Sequence, residues 1–235
     1  MTLAIVSAMR EELAAVLALM PDEHMQVAAG REFWLGHLHD QPVVVVLSRI
    51  GKVAAATTAT VLIERFRVQR IVFTGVAGGL APGVQVGDLV VADAFLQHDL
   101  DASPIFPKYE VPLYGLSRFP ADPGLSTQLA RAAQTALADV PLHRGLVVSG
   151  DRFVATTAES RALQAGLPDA LAVEMEGAAI AQVCHDYGIP FAAVRTISDR
   201  ADDAAHGDFT GFVQEVASRY SAAIVAAFLG ALPAP

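Results

Sequence analysis

A chain of 235 residues that is 53% apolar and only 17% charged can bury a large core on both faces of a mostly parallel sheet, and such a composition excludes extended disorder. Its formal net charge of -9, with no run of basic residues, argues against a nucleic-acid partner, because phosphate backbones are held chiefly by Lys and Arg. The single cysteine, Cys184, excludes an internal disulfide and reads as a buried thiol.

The opening MTLAIVSAMREEL is apolar for too few residues before Arg10, Glu11 and Glu12 to be a signal peptide. The late segment AAIVAAFLGAL is shorter than the roughly 18 to 20 residues that span a bilayer. A soluble, cytoplasmic protein with no membrane partner is expected. Leu3 to Ala8 reads as a buried strand, and REELAAVLALM from Arg10 as a helix that ends before Pro21. Glu12 then lies in the first turn of a helix that follows a strand. It is either an acid favoured there by the helix dipole or a carboxylate facing a crevice.

EFWLGHLHD and QPVVVVLSRI read as two strands joined at a turn around His39 to Pro42. His37 and His39 share one face of the first strand, but no other ligand set converges on them, so no metal is assigned. Gly51 introduces an Ala-rich helix, KVAAATTATVLIERF, after which RIVFTG is a strand and GVAGGLAPG a glycine-rich turn. The turn either admits a ligand to the backbone or is simply tight; it matches neither the dinucleotide nor the P-loop pattern, and no cofactor is assigned.

GDLVVADAFLQHD contains a further strand ending near His98 and Asp99. Residues 100–123 then carry five prolines interleaved with Phe106, Tyr109, Tyr114 and Phe119, the composition of a lid or partner contact. GLSTQLARAAQTALADV is amphipathic, HRGLVVSGDRFVA is a strand running into a turn, and DFTGFVQEVASRYSAAIVAAFLGAL is the closing helix, with helix-spaced apolar residues from Phe212 through Leu232.

The organising stretch is Ala172 to Asp203, in which two apolar runs end in Glu176 and Asp199 around a helix that stops at Gly188. Read as strand, helix, strand, it is the crossover that joins parallel strands. Ligands of open α/β sheets sit beyond the carboxyl ends of such strands, so both acids should face one crevice. No linker or repeat divides the chain, and one α/β domain over 1–235 is expected, with helices on both sides of a mixed, mostly parallel sheet.

AMREE at 8–12, IGKVAAA at 50–56, TGVAGGLAPGVQVGDLVVAD at 74–93, SGDRF at 149–153, VEMEGAAIAQVCH at 173–185 and RTISDRAD at 195–202 together resemble the methylthioadenosine/S-adenosylhomocysteine nucleosidases of the purine nucleoside phosphorylase superfamily. The resemblance implies a three-layer α/β/α fold and hydrolysis of the N-glycosidic bond of adenine nucleosides through an oxocarbenium-like transition state. It implies that Asp199 protonates adenine N7, that Glu12 activates the water, and that Arg195 helps to hold that water and its carboxylate. Glu176 would accept hydrogen bonds from the ribose hydroxyls, with Met175 against the sugar. Phe153 would stack on adenine, and the Val154 backbone would read its edge.

The same resemblance puts Val76, Ala77 and Gly78 among the substrate-binding residues, and Met9, Ile50 and Phe209 around the ribose and 5′ substituent. It implies a homodimer in which the 100–123 segment, near Ala102 and Ile105, closes the neighbouring subunit's pocket. Two departures stand out. Phe73 and Val76 occupy positions where phosphorylases bind phosphate, which favours hydrolysis, and SPIFPKYEVPLYG is longer and richer in proline than the usual lid. Alternative expectations are an aminodeoxyfutalosine nucleosidase, another purine nucleoside hydrolase or phosphorylase, and a nucleoside-binding module without turnover.

Overall fold

The computed structural model describes residues 2–203 and 209–233, the side chains of Phe209 and Thr210 excepted. Leu3–Ser7 (β1) lies between Gln41–Leu47 (β4) and Arg70–Gly79 (β5), parallel to both. Its alternation divides the core in two. Ala4 and Val6 pack on one side of the sheet with Lys52–Phe66 (α2) and Gly177–Tyr187 (α5), while Leu3 and Ile5 pack on the other with Arg10–Leu17 (α1), Pro123–Ala136 (α3) and Ser218–Gly230 (α7). A strand buried on both faces must be apolar at every position, which is why VVVV and LAIV are continuous runs rather than alternating ones. Phe209–Phe212 (α6) leads through a π-helical turn, Val213–Ala217, into α7.

An additional strand, His24–Ala28 (β2), precedes Arg31–Leu38 (β3) and forms the exposed sheet edge; four of its five residues are exposed, so it carries no strong apolar signal. The turn joining β3 to β4 contains His39 and Asp40 at positive φ. His39 therefore lies outside the strand, and the two histidines do not share a strand face; His37 pairs with Asp22 instead, Nδ1 to Oδ2 at 2.8 Å. The glycine-rich segment also differs from its sequence reading, because β5 does not end at Gly75 but runs on through Gly79. Glycine inside a strand permits close approach of neighbouring chain, and β5 uses it at its far end.

There Leu89–Gln97 (β6), Leu142–Ser149 (β8), Ala170–Glu174 (β9) and Phe191–Asp199 (β10) complete a closed circuit. β5 pairs with β10 from Ile71 to Gly78 and with β9 at Gly78 and Gly79, while β6 and β8 connect β10 back to β9. β10 is parallel to β5, but β9 is antiparallel to it. The two strands around α5 thus run in opposite directions, and the unit is not the parallel crossover expected from its pattern. Its acids still converge, because Gly78 lies between Val173 of β9 and Asp199 of β10.

Thr157–Gly166 (α4) follows the Phe153 turn, its N-terminus capped by Thr156 and by Glu159 reaching back. Residues 100–123 are built from short turns, a bridge from Val111 to Leu116, and Arg118–Pro120 (β7) added to β6. They are held to α5 by the Tyr114 hydroxyl on Asp186 at 2.8 Å and by Phe119 edge-on to His185. Among the described residues no helix is long and apolar enough to cross a membrane.

Candidate active site

The circuit of strands opens into a cavity of about 390 Å³. Met9 enters it from the loop between β1 and α1, Ile50 from the loop after β4, and Val76, Ala77 and Gly78 from β5; Phe153 and Val154 follow β8, Met175 and Glu176 follow β9, and Asp199 ends β10. A side chain at Gly78 would crowd the acid, since a Cβ there would lie 3.0 Å from Asp199 Oδ1 and from Ala201 Cβ. Asp199 is buried. Its Oδ1 accepts from the Ala201 N–H at 2.8 Å, and Oδ2 lies 2.8 Å from the Ser198 hydroxyl. That hydroxyl is also 3.4 Å from the Ala77 carbonyl; when it donates there, its oxygen can accept a proton carried on Oδ2.

Glu176 is buried too, and its Oε1 accepts from the Gly51 N–H at 2.9 Å. Gly51 has φ 96°, a conformation that suits glycine, so the start of α2 and the carboxylate are fixed together. Burial, and secondarily the Glu174 charge, push the Glu176 carboxyl up to about 7 against the opposing effects of Gly51 and Arg195.

Glu12 lies behind this wall, fully buried in the first turn of α1, accepting only a 3.3 Å bond from the Met9 N–H. Its Oε1 has no partner within the described chain, and burial pushes its carboxyl up to about 8 despite the nearby positive charge of Arg195. Glu12 and Arg195 come together over Gly75: a Cβ there would lie 3.6 Å from Glu12 Oε2 and 3.1 Å from Arg195 Nη1.

Arg195 does not form an ion pair with Glu12. Its Nη2 donates to Glu174 Oε2 at 2.8 Å, its guanidinium lies over the Phe73 ring at 3.7 Å, and Nε and Nη1 have no hydrogen-bond partner among the described residues. Glu174 is the residue that sequence reasoning missed. It accepts from the Gly177 N–H at 2.9 Å, from the Glu176 N–H at 3.2 Å and from Ser149, whose oxygen accepts from the Ala178 N–H at 2.8 Å. The hub joins β8, β9, α5 and β10. A signal was present in VEME, because two carboxylates two residues apart in an apolar run need a cation, and FAAVRTISD supplies one.

Ala102 and Ile105 do not line this cavity; Ile105 is 83% exposed. Phe209 opens α6, but its side chain lies outside the described residues. His98 and Asp99 do not line the cavity; Asp99 binds Lys52 Nζ at 2.6 Å and accepts from the Asp151 N–H at 2.8 Å. Among the described residues no group of three or more His, Cys, Asp or Glu side chains could hold a metal ion. Cys184 is buried in α5, which raises its thiol pKa.

Residues 2–230 match the family model of the phosphorylase superfamily. The chain is 36% identical over 231 residues to the 5′-methylthioadenosine/S-adenosylhomocysteine nucleosidase of Shewanella denitrificans, covering 97% of this chain and 99% of that protein. It superposes on the nucleosidase of Neisseria meningitidis bound to methylthio-immucillin-A with a TM-score of 0.93 and 35% identity, over 98% of this chain and 99% of the other. The futalosine hydrolase of Helicobacter pylori gives 0.91 and 33%, over 98% of each. With relatives alike from end to end, and a phosphorylase-type sheet closing around three buried acids, the chain belongs to the 5′-methylthioadenosine/S-adenosylhomocysteine nucleosidase family of the phosphorylase superfamily.

Proposed function

We propose that the protein, acting as one domain over 1–235, hydrolyses the N-glycosidic bond of methylthioadenosine and S-adenosylhomocysteine, releasing adenine and the thioribose. The observation that carries this is the placing of Asp199 and Glu176 on the wall of one cavity with Glu12 behind that wall, each buried and each in a different hydrogen-bonding environment. Cleavage sends the electrons of the C1′–N9 bond into adenine, and Asp199 gives N7 its proton. Phe153 stacks on the base and the Val154 backbone reads its edge. Glu176, oriented by Gly51, accepts from the ribose hydroxyls beside Met175. Water adds to C1′ and yields its proton to Glu12, which acts as the base from its ionised form, a form that gains as pH rises toward about 8, while Arg195 Nη1, without a partner among the described residues, helps to hold that water.

Hydrolysis rather than phosphorolysis is supported by Phe73, buried beneath Arg195, by Val76 on the cavity wall, and by the engagement of Arg195 with Glu174. Adenine release from both nucleosides, assayed with and without phosphate, tests this reading; strict dependence on phosphate would overturn it. The working form is a cytoplasmic homodimer serving methionine salvage, in which residues 100–123 close the partner's pocket near Ala102 and Ile105. The exposure of Ile105 and Leu113, 83% and 91%, supports a covering partner, and sedimentation of the purified protein tests it.

A further inference from the structure

A second cavity, of about 200 Å³, carries Arg10, Arg31 and Arg49 on its wall together with Glu32, Leu13 and Leu47, and Arg10 and Arg49 are chain neighbours of Met9 and Ile50 in the nucleoside cavity. In a chain of net charge -9 three arginines around one small space call for an explanation. None of the three forms an ion pair with a carboxylate among the described residues. Arg31 is 9% exposed; its two terminal nitrogens donate to the Ala29 and Ala54 carbonyls at 2.8 and 3.1 Å, and its buried Nε has no partner among the described residues. Arg49 has φ 65°, a conformation that a non-glycine residue adopts at a cost, and its guanidinium donates to the Gly30 carbonyl. Burial and the facing charge of Arg49 both lower the Arg31 pKa. Three arginines against the single carboxylate of Glu32 on the same wall leave a net positive potential that favours an anion.

The position of this space identifies the anion. Met9 lines the nucleoside cavity and Arg10 the second one, and Ile50 and Arg49 are divided in the same way. If adenine lies at Asp199 and Phe153 and the ribose at Glu176, the Met9 and Ile50 end is left for the 5′ substituent. A methylthio group ends there. A homocysteine tail continues and ends in a carboxylate and an ammonium group.

We infer that the cavity of Arg10, Arg31 and Arg49 is a subsite for a carboxylate at the end of the substrate's 5′ tail, with Glu32 placed for the α-ammonium of an amino acid. This rests on the nucleosidase reading above. It makes S-adenosylhomocysteine a better substrate than the same nucleoside lacking the tail carboxylate, by interactions that the adenine and ribose contacts do not supply.

The test compares kcat/KM for S-adenosylhomocysteine and methylthioadenosine in the wild type and in an R10Q/R49G variant. Both replaced side chains are exposed, and glycine relieves the positive φ at 49. The expected result is a loss of about tenfold or more for S-adenosylhomocysteine, the scale of a lost charge-assisted hydrogen bond, with methylthioadenosine within about twofold of wild type. In the wild type, the analogue carrying 3-aminopropylthio in place of the homocysteine tail should also lose about tenfold, and the double substitution should not lower it further. An unchanged substrate ratio, an equal loss on both substrates, or a decarboxylated analogue as good as S-adenosylhomocysteine would overturn the subsite. Failure of the wild type to release adenine from either nucleoside would instead remove the nucleosidase reading, and the subsite with it.

Discussion

Glu12→Gln separates what the buried acid costs the fold from what it contributes to the reaction. The side chain is fully buried, one oxygen is unpaired, and the carboxyl is raised from 4.5 to about 8, with burial the largest cause. Between those values the folded protein holds a proton that the unfolded chain has released. The associated stability is therefore complete below about pH 4.5, declines as pH rises, and is gone above about 8. At about 1.4 kcal/mol for each pH unit of that window, the decline is on the order of 4 to 5 kcal/mol. Glutamine keeps the shape and never ionises, so it escapes this decline. Glu176, raised to about 7, titrates in both proteins and cancels in the comparison to first order. Urea unfolding at pH 5 and pH 8.5 should show the glutamine variant gaining several kcal/mol on the wild type at the higher pH, on the same linkage argument. Adenine release by the variant should fall by at least about a hundredfold, the usual scale for losing a general base. A stability difference that is the same at both pH values would refute the burial argument, and wild-type turnover would refute the role.

Asp199→Asn should lower turnover by at least about a hundredfold with an unchanged circular dichroism spectrum; near-normal adenine release would take the general-acid role away from it. Glu174→Leu leaves the Arg195 guanidinium buried without its counter-ion, and thermal or urea unfolding should record a loss of about 3 to 5 kcal/mol. A melt like that of the wild type would mean that Arg195 has another partner. Glu176→Gln should raise KM, and nucleosides lacking the 2′- and 3′-hydroxyls should be poor substrates for the wild type. Equal rates on the deoxy compounds would contradict the sugar contact.

Several elements were legible because their signals are local. The helix at Arg10 follows a strand and carries its acids in the first turn, and α5 stops at Gly188, which adopts φ 64°. Others were not. β2 is mostly exposed and has no apolar pattern, and the continuation of β5 through Gly79 depends on two neighbours that a glycine-rich string does not announce. The helix at Thr157–Gly166 has only its capping signal, Thr156 with Glu159, to mark it in the sequence.

By itself the sequence determined the two-sided apolar core, the helix boundaries marked by caps and glycines, and the acids Glu12, Glu176 and Asp199 as candidates, because composition, periodicity and motif order are properties of the string. Only the tertiary structure decided that β9 runs against β10, that Glu174 rather than Glu12 engages Arg195, and that Arg10, Arg31 and Arg49 surround one space. Strand direction and charge pairing depend on which segments become neighbours when the sheet closes on itself. In this chain that closure occurs at Gly78, where the absence of a side chain lets Asp199 and β9 approach the same residue.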